Sequence, residues 1–161
     1  GEARVIHVSS QLHRRGRNAE LFGSGRPYNS WNAYGNSKLA LAHHAAELHR
    51  RHGADGLRAC SLHPGAVYTH IADRGLEGSR AIAALRRVLA PIEAYFLLTP
   101  EEGAQTSLHC ATVADLQGGA YYDGCRLARH SAELDDASAG ARLWAEKAAE
   151  SGSPVRASRP A

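Results

Sequence analysis

The stretch "YGNSKLALAHHAAELHRRHGADGLRACSLHPG", Tyr34 to Gly65, decides the fold. It opens with an Ala/Leu-rich run that turns helical from about Trp31 to Arg51, with Leu39, Ala42, Ala46 and Leu48 near a helical repeat, and "HGADG" supplies the stop. The run "LRACSLH" then reads as a buried strand that ends at Pro64-Gly65. Upstream, "RVIHVS", Arg4 to Ser9, is a short β-branched apolar run of the same kind. The segment between, "QLHRRGRNAELFGSGRPYN", has no sustained period and reads as a long loop. A strand, a crossover of more than a dozen residues and a second strand predict parallel pairing in an α/β sheet.

Beyond Gly65, Ile82, Leu85, Val88, Leu89, Ile92 and Phe96 recur at helix-like intervals, interrupted by Pro91. "TPEE" predicts a helix start: Thr99 as cap, Pro100 at the first helical position and Glu102 where a capping box needs a carboxylate. That helix should run to about Val113. "GGAYYDGC" gives a third, short strand and "ASAGARLWAEKAAE" a closing helix, with Leu143 and Trp144 to pack. Residues 1–150 read as one unit, and 151–161 have the composition of a flexible tail.

The 161 residues, 43% hydrophobic and 22% charged, suit a globular α/β chain rather than a disordered one. The net charge of +3 is modest and the basic residues are scattered without interleaved aromatics, so nucleic acid is not expected as a partner. No apolar run approaches the roughly 18 residues of a membrane span. The start "GEARVIHVSS" lacks a secretory signal, and the expected compartment is the cytoplasm. Cys60, Cys110 and Cys125 are too few and too far apart for a disulfide framework and read as reduced core thiols. The ten histidines do not make a metal site: His43 and His44 splay apart on a helix, and His49 and His52 have no partner at ligand spacing.

Tyr34 and Lys38 stand at i and i+4, so on a helix they point the same way from adjacent turns. A free tyrosine, with a pKa of about 10, is a poor acid or base at neutral pH, and a neighbouring ammonium favours its phenolate. Tyr-x-x-x-Lys also arises by chance on amphipathic helices. Here it has company: Ser9-Ser10 and Pro64-Gly65 sit at the carboxyl ends of the two strands, where open parallel sheets bind ligands.

"RVIHVSS", "YGNSK" and "LHPGAVYT", in that order, resemble the second half of a short-chain dehydrogenase/reductase. "PEEGAQTSLHCA", "GAYYDGCRLAR" and "ARLW" are similar to the retinol dehydrogenase and WW-domain oxidoreductase branch of that superfamily, and the likeness runs from Arg4 to about Ala148. The resemblance implies a partial Rossmann-type parallel sheet, its last three strands with flanking helices. It implies a NAD(P)-dependent oxidoreductase interconverting an alcohol and a carbonyl, with NADP favoured over NAD by branch. Ser10 would hydrogen-bond the substrate oxygen, Tyr34 would exchange a proton with it, and Lys38 would hold the nicotinamide ribose and bias Tyr34. Pro64 and Gly65 would shape the turn under the nicotinamide, and Val67 and Thr69 would anchor its carboxamide end. Ser9 is adjacent and exchanges roles with Ser10 in the alternative reading, and Thr69 as a plain helix cap is another. His63 reads as a packed strand residue, and Tyr28, Trp31 and Tyr68 as the lining of a substrate mouth or as simple packing.

The apolar Ala81 to Leu98 segment suggests a small hydrophobic alcohol or carbonyl substrate, and the helix bearing Tyr34 and Lys38 often lies at a dimer contact in proteins the chain resembles, which implies a homodimer. Nothing here matches the family's Gly-rich turn, which brings a pyrophosphate to a helix N-terminus. With no methionine in the chain, the expectation is a fragment lacking the N-terminal half of the doubly wound fold, inactive by itself, with a binding or regulatory remnant as the alternative. A sugar-nucleotide epimerase shares the Tyr/Lys pair but carries a larger substrate domain after it than the 123 residues that follow Lys38.

Overall fold

A computed structural model describes residues 3–23, 27–65 and 98–152. The first strand, β1 (Ala3–Val8), pairs in parallel with β2 (Leu57–His63), in the register Ala3↔Leu57 to Val8↔Leu62. Between them runs α1 (Ser30–His52), the crossover that a parallel pair requires. Strand β3 (Tyr121–Asp123) continues the sheet in parallel beside β2, preceded by α2 (Pro100–Thr112) and followed, after β4 (Arg126–Leu127), by α3 (Ala137–Glu150). The strand order is β1-β2-β3-β4.

Strand β4 is a departure from the three expected strands. It pairs antiparallel with β3 through a two-residue turn in which Gly124 and Cys125 have φ of 56° and 60°. Positive φ at both central residues matches the twist of a hairpin; Gly124 adopts it freely, and Cys125 is the one non-glycine described residue that does so. The same turn exposes Cys125, so only Cys60 and Cys110 are core thiols.

Side-chain alternation divides the sheet's two faces. Ile6, Cys60, Leu62 and Tyr122 fall on one face and build a core with Cys110 of α2 and Leu116. His7, Ala59, Ser61 and Tyr121 fall on the other, where α1 packs, with α3 against α1. Leu39, Ala42 and Ala45 form the buried stripe of α1. Each fully buried leucine contributes roughly 1.5–3 kcal/mol. The stripe differs from the expected one: Ala46 and Leu48 are only partly covered, while Glu47 is buried. Glu47 can be there because Arg50 and Arg51 clamp its carboxylate at 2.6–2.7 Å.

The Thr99 capping box and Pro100 start α2 as the sequence predicts. Asn29 caps α1 by accepting the Asn32 amide, and Asp136 caps α3. The segment read as a plain loop carries two short 3-10 turns, Gln11–Arg15 and Asn18–Glu20. Leu143 is buried, and Trp144 stacks on His44 at 5.3 Å. The expected apolar helix over residues 82–96 lies outside the described residues, as do positions 153–161 of the expected tail.

Candidate functional site

The carboxyl ends of β1 and β2 carry the candidate residues. The Ser9 amide donates to the Leu62 carbonyl at 2.7 Å, the last bond joining the two strands, and the chain then leaves the sheet. Ser10 is extended (φ −160°, ψ 157°) and caps the Gln11–Arg15 turn, its hydroxyl oxygen accepting the Leu12 amide at 3.2 Å.

Two bonds tie this point to α1. The Ser9 hydroxyl donates to the Lys38 carbonyl at 2.9 Å, and the Lys38 ammonium donates to the Val8 carbonyl at 3.1 Å. Lys38 Nζ also stands 5.4 Å from the centroid of the Tyr34 ring, one turn earlier on the helix. The side chains of Tyr34 and Lys38 are therefore together at the end of β1, with the Tyr34 ring 44% exposed. The Tyr34 hydroxyl makes no hydrogen bond to a described residue, and Ser10 reaches neither side chain by a direct hydrogen bond. The serines differ in what remains available. The Ser9 proton is spent on Lys38, whereas the Ser10 hydroxyl accepts a bond and its proton has no acceptor among the described residues.

Two glycines allow the close approach. An added Cβ on Gly16 would lie 2.7 Å from Leu39 Cβ and 2.9 Å from the Gly35 carbonyl oxygen, and one on Gly35 would lie 3.0 Å from the Leu12 carbonyl oxygen. The turn after Ser10 thus rests directly on the first turns of α1. Sequence reading passed over this pair, although a glycine inside a helical run is a signal of close packing.

At the end of β2, Gly65 has φ of 88°, a conformation that favours glycine, and a Cβ there would overlap Leu98. Pro64 precedes it at the strand end, whereas Val67, Tyr68 and Thr69 lie outside the described residues. His63 is partly buried, and its Nδ1 has no partner among the described residues. Burial holds its imidazole below the ordinary value, against an upward pull from Asp123. Gln11 crosses from the β1 side to donate to the Asp123 carboxylate at 2.9 Å. Tyr121 is buried beside them, and burial, with Asp123, pushes its phenol up.

Tyr28 and Trp31 are 83% and 59% exposed at the head of α1. Tyr28 borders a cleft of about 500 Å³ with Pro27, Asn29, Asn32 and Glu20. Among the described residues no three His, Cys, Asp or Glu side chains gather to hold a metal ion. His43 and His44 do splay: His43 bonds Asn18 at 2.8 Å and His44 bonds His7 at 2.8 Å. No described helix is long and apolar enough to cross a membrane.

No family model matches the chain. Individual proteins do. It is 32% identical over 145 residues to human retinol dehydrogenase 11, covering 88% of this chain and 43% of that protein. Mouse retinol dehydrogenase 12 is 36% identical over 146 residues, with the same coverage. Bovine dehydrogenase/reductase SDR family member 13 is 34% identical over 148 residues, 88% of this chain and 38% of that protein. The chain thus spans less than half the length of these relatives. A solved structure of an uncharacterised protein from Mycobacterium paratuberculosis superposes with a TM-score of 0.67 at 28% identity, covering 97% of this chain and 53% of that one. The order of strands, the Tyr/Lys helix between them and these alignments agree: over most of its length the chain is similar to part of the short-chain dehydrogenase/reductases, retinol dehydrogenases among them.

Proposed function

We propose that this chain carries the substrate-activating groups of a NAD(P)-dependent oxidoreductase that interconverts a hydrophobic alcohol and its carbonyl compound. The observation that carries the reading is Lys38, which bridges the Tyr34 ring and the carbonyl at the end of β1, close to a serine whose proton has no acceptor among the described residues.

The donor set fits a nicotinamide ribose. An ammonium has three protons; one is used on the Val8 carbonyl, and the other two have no acceptor among the described residues. Lys38 would hold the ribose hydroxyls, and Pro64 with the left-handed Gly65, at the carboxyl end of β2, would shape the turn under the nicotinamide. The cofactor, taken to be NADP with NAD as the alternative, supplies hydride transfer when bound. The chain's own part is proton chemistry and alignment. Ser10 donates its hydroxyl proton in a hydrogen bond to the substrate oxygen and fixes that oxygen in place. Tyr34 gives a proton to the same oxygen in the reduction direction and accepts one in the oxidation direction. Lys38, within reach of the ring, stabilises the negative charge that forms on the phenol when its proton leaves.

The exposed Tyr28 and Trp31, at the head of α1 one to two turns before Tyr34, suit an apolar substrate, and the relatives' names make retinol the first to try. Val67 and Thr69 complete the proposed cofactor contacts. A cytoplasmic setting and a homodimer joined through α1 belong to the same proposal, the dimer being testable by sedimentation.

The test is cofactor binding and turnover in the natural gene product, with NADP or NAD and retinol. Lys38→Met should weaken cofactor binding about tenfold, and Ser10→Ala should lower kcat by on the order of 100-fold. Wild-type binding and rate in both variants would overturn the proposal.

A further inference from the structure

His13 sits immediately behind Ser10 and is fully buried. Its Nδ1 lies 2.7 Å from the Ser10 carbonyl oxygen, and its Nε2 lies 3.0 Å from the Ser131 amide nitrogen. These two partners settle the tautomer. An amide N–H can only donate, so Nε2 is unprotonated; a carbonyl can only accept, so Nδ1 carries the proton. A second proton on the ring would point at the Ser131 N–H. Burial also holds this imidazole below its ordinary value, outweighing the Ser10 carbonyl, and the nearby Arg14, His130 and His63 act in the same direction as burial.

The far end of the bridge is anchored. Ser131 is buried and caps the turn Ala132–Asp135, its hydroxyl accepting the Glu133 amide. The Glu133 carboxylate accepts the Asn18 amide at 2.7 Å, and Asn18 accepts from His43 of α1 at 2.8 Å. The His13 ring also lies on the Tyr121 ring of β3, with centroids 4.5 Å apart. The Ser10 carbonyl therefore receives two bonds from one residue, the His13 amide at 3.0 Å and the His13 ring, and the ring is braced from two other parts of the fold, the Ser131 turn and β3.

We propose that His13 is a positioning residue for Ser10: a neutral imidazole that locks the Ser10 peptide to the Ser131 turn and so aims the Ser10 hydroxyl at the bound substrate oxygen. The inference rests on the reading of Ser10 given above. Displacing a positioning group by even about 1 Å can cost on the order of 100-fold in rate.

Two variants separate the bridge's halves. The side-chain nitrogen of asparagine can stand where Nδ1 stands, so His13→Asn keeps the bond to Ser10 and loses Ser131. The terminal oxygen of glutamine can stand where Nε2 stands, so His13→Gln keeps Ser131 and loses Ser10. Hydrogen exchange of the Leu12 amide, which bonds the Ser10 hydroxyl oxygen, reports Ser10 directly in the chain as it is. Exchange should be at least tenfold faster than wild type in both variants, because either break frees the Ser10 peptide from the Ser131 turn, while the Val113 amide, bonded to the His109 carbonyl at the end of α2, stays within threefold of wild type. Wild-type exchange of Leu12 in either variant, or an equal acceleration at Val113, would overturn the proposal.

In the natural gene product, His13→Gln should lower kcat about tenfold or more and leave cofactor binding unchanged, but lower it no further when Ser10 is already alanine. A full additional loss in the Ser10→Ala background would show that His13 acts elsewhere and would overturn it. Wild-type turnover in Ser10→Ala alone would remove the assigned role of Ser10, and this inference with it, which the exchange data distinguish from a failure of His13. Should the variants not fold, nitrogen NMR of the wild-type histidines decides. A proton on His13 Nδ1 with bare Nε2 at neutral pH supports the bridge, and a proton on Nε2 overturns it.

Discussion

Replacing Gly16 by alanine adds one methyl group at the point where the turn after Ser10 meets α1. The backbone there is ordinary (φ −66°, ψ 152°), so alanine brings no conformational strain. On an open surface the change would stabilise by about 0.4–1 kcal/mol, because the unfolded chain loses freedom. Here the new methyl would lie 2.7 Å from Leu39 Cβ and 2.9 Å from the Gly35 carbonyl oxygen. Neither atom is at the end of a flexible side chain, so the turn itself must lift. Overpacking of this kind costs about 1–3 kcal/mol. The net expectation is a loss of roughly 1–2 kcal/mol, which for a chain of this size lowers Tm by roughly 2–8 °C. Urea unfolding followed by circular dichroism measures it, and the Leu12 amide should exchange faster in the same variant. A Gly16→Ala protein as stable as wild type, or more so, would refute the close contact between the turn and the helix.

Glu47→Gln should destabilise by about 2–3 kcal/mol in urea unfolding. It leaves the largely buried Arg51 without its anion, while Arg50, 52% exposed, loses less because water screens it; a change below about 0.5 kcal/mol would contradict the clamp. Burial pushes the Glu47 carboxyl up, but the hydrogen bonds from Arg50 and Arg51 outweigh it and hold it below the usual range. Its contribution is therefore present above the unfolded value of 4.5 and lost as pH falls through the lower folded one. His13, His43 and His63 are each held below 6.5, chiefly by burial, so below that pH the unfolded chain binds more protons than the folded one. The stability they leave intact at higher pH is lost as pH drops under 6.5, and the urea midpoint should be lower at about pH 5 than at about pH 7.5. A flat profile would contradict their burial as neutral groups.

The elements most legible in the sequence were those with local signals. "LRACSLH" became β2 at its expected ends, and "TPEE" became a full capping box, because a β-branched or apolar run and a cap need only neighbours in sequence. The Tyr34/Lys38 pair was legible for the same reason, as helical spacing alone puts the two side chains together. What stayed hidden depends on partners far along the chain. His13 looked like one basic residue in "LHRRGR", since its meaning comes from Ser131, over a hundred positions away. Glu47 is different: its arginine partners stand only three and four residues on, and what depends on the rest of the fold is the burial of that side of α1. The β3-β4 hairpin offers little to read in "YYDGCRL": its turn is Gly124-Cys125, with a cysteine at positive φ, and a two-residue strand is too short to show alternation.

The central claim is that Tyr34 is the proton-transferring group of an alcohol/carbonyl oxidoreductase. Removing only its hydroxyl, by Tyr34→Phe in the natural gene product, tests it most directly, with kcat and the cofactor Kd measured on the same preparation. The account predicts that kcat falls by on the order of 100-fold or more while the cofactor Kd stays within about twofold. A variant that turns over at close to the wild-type rate would contradict it.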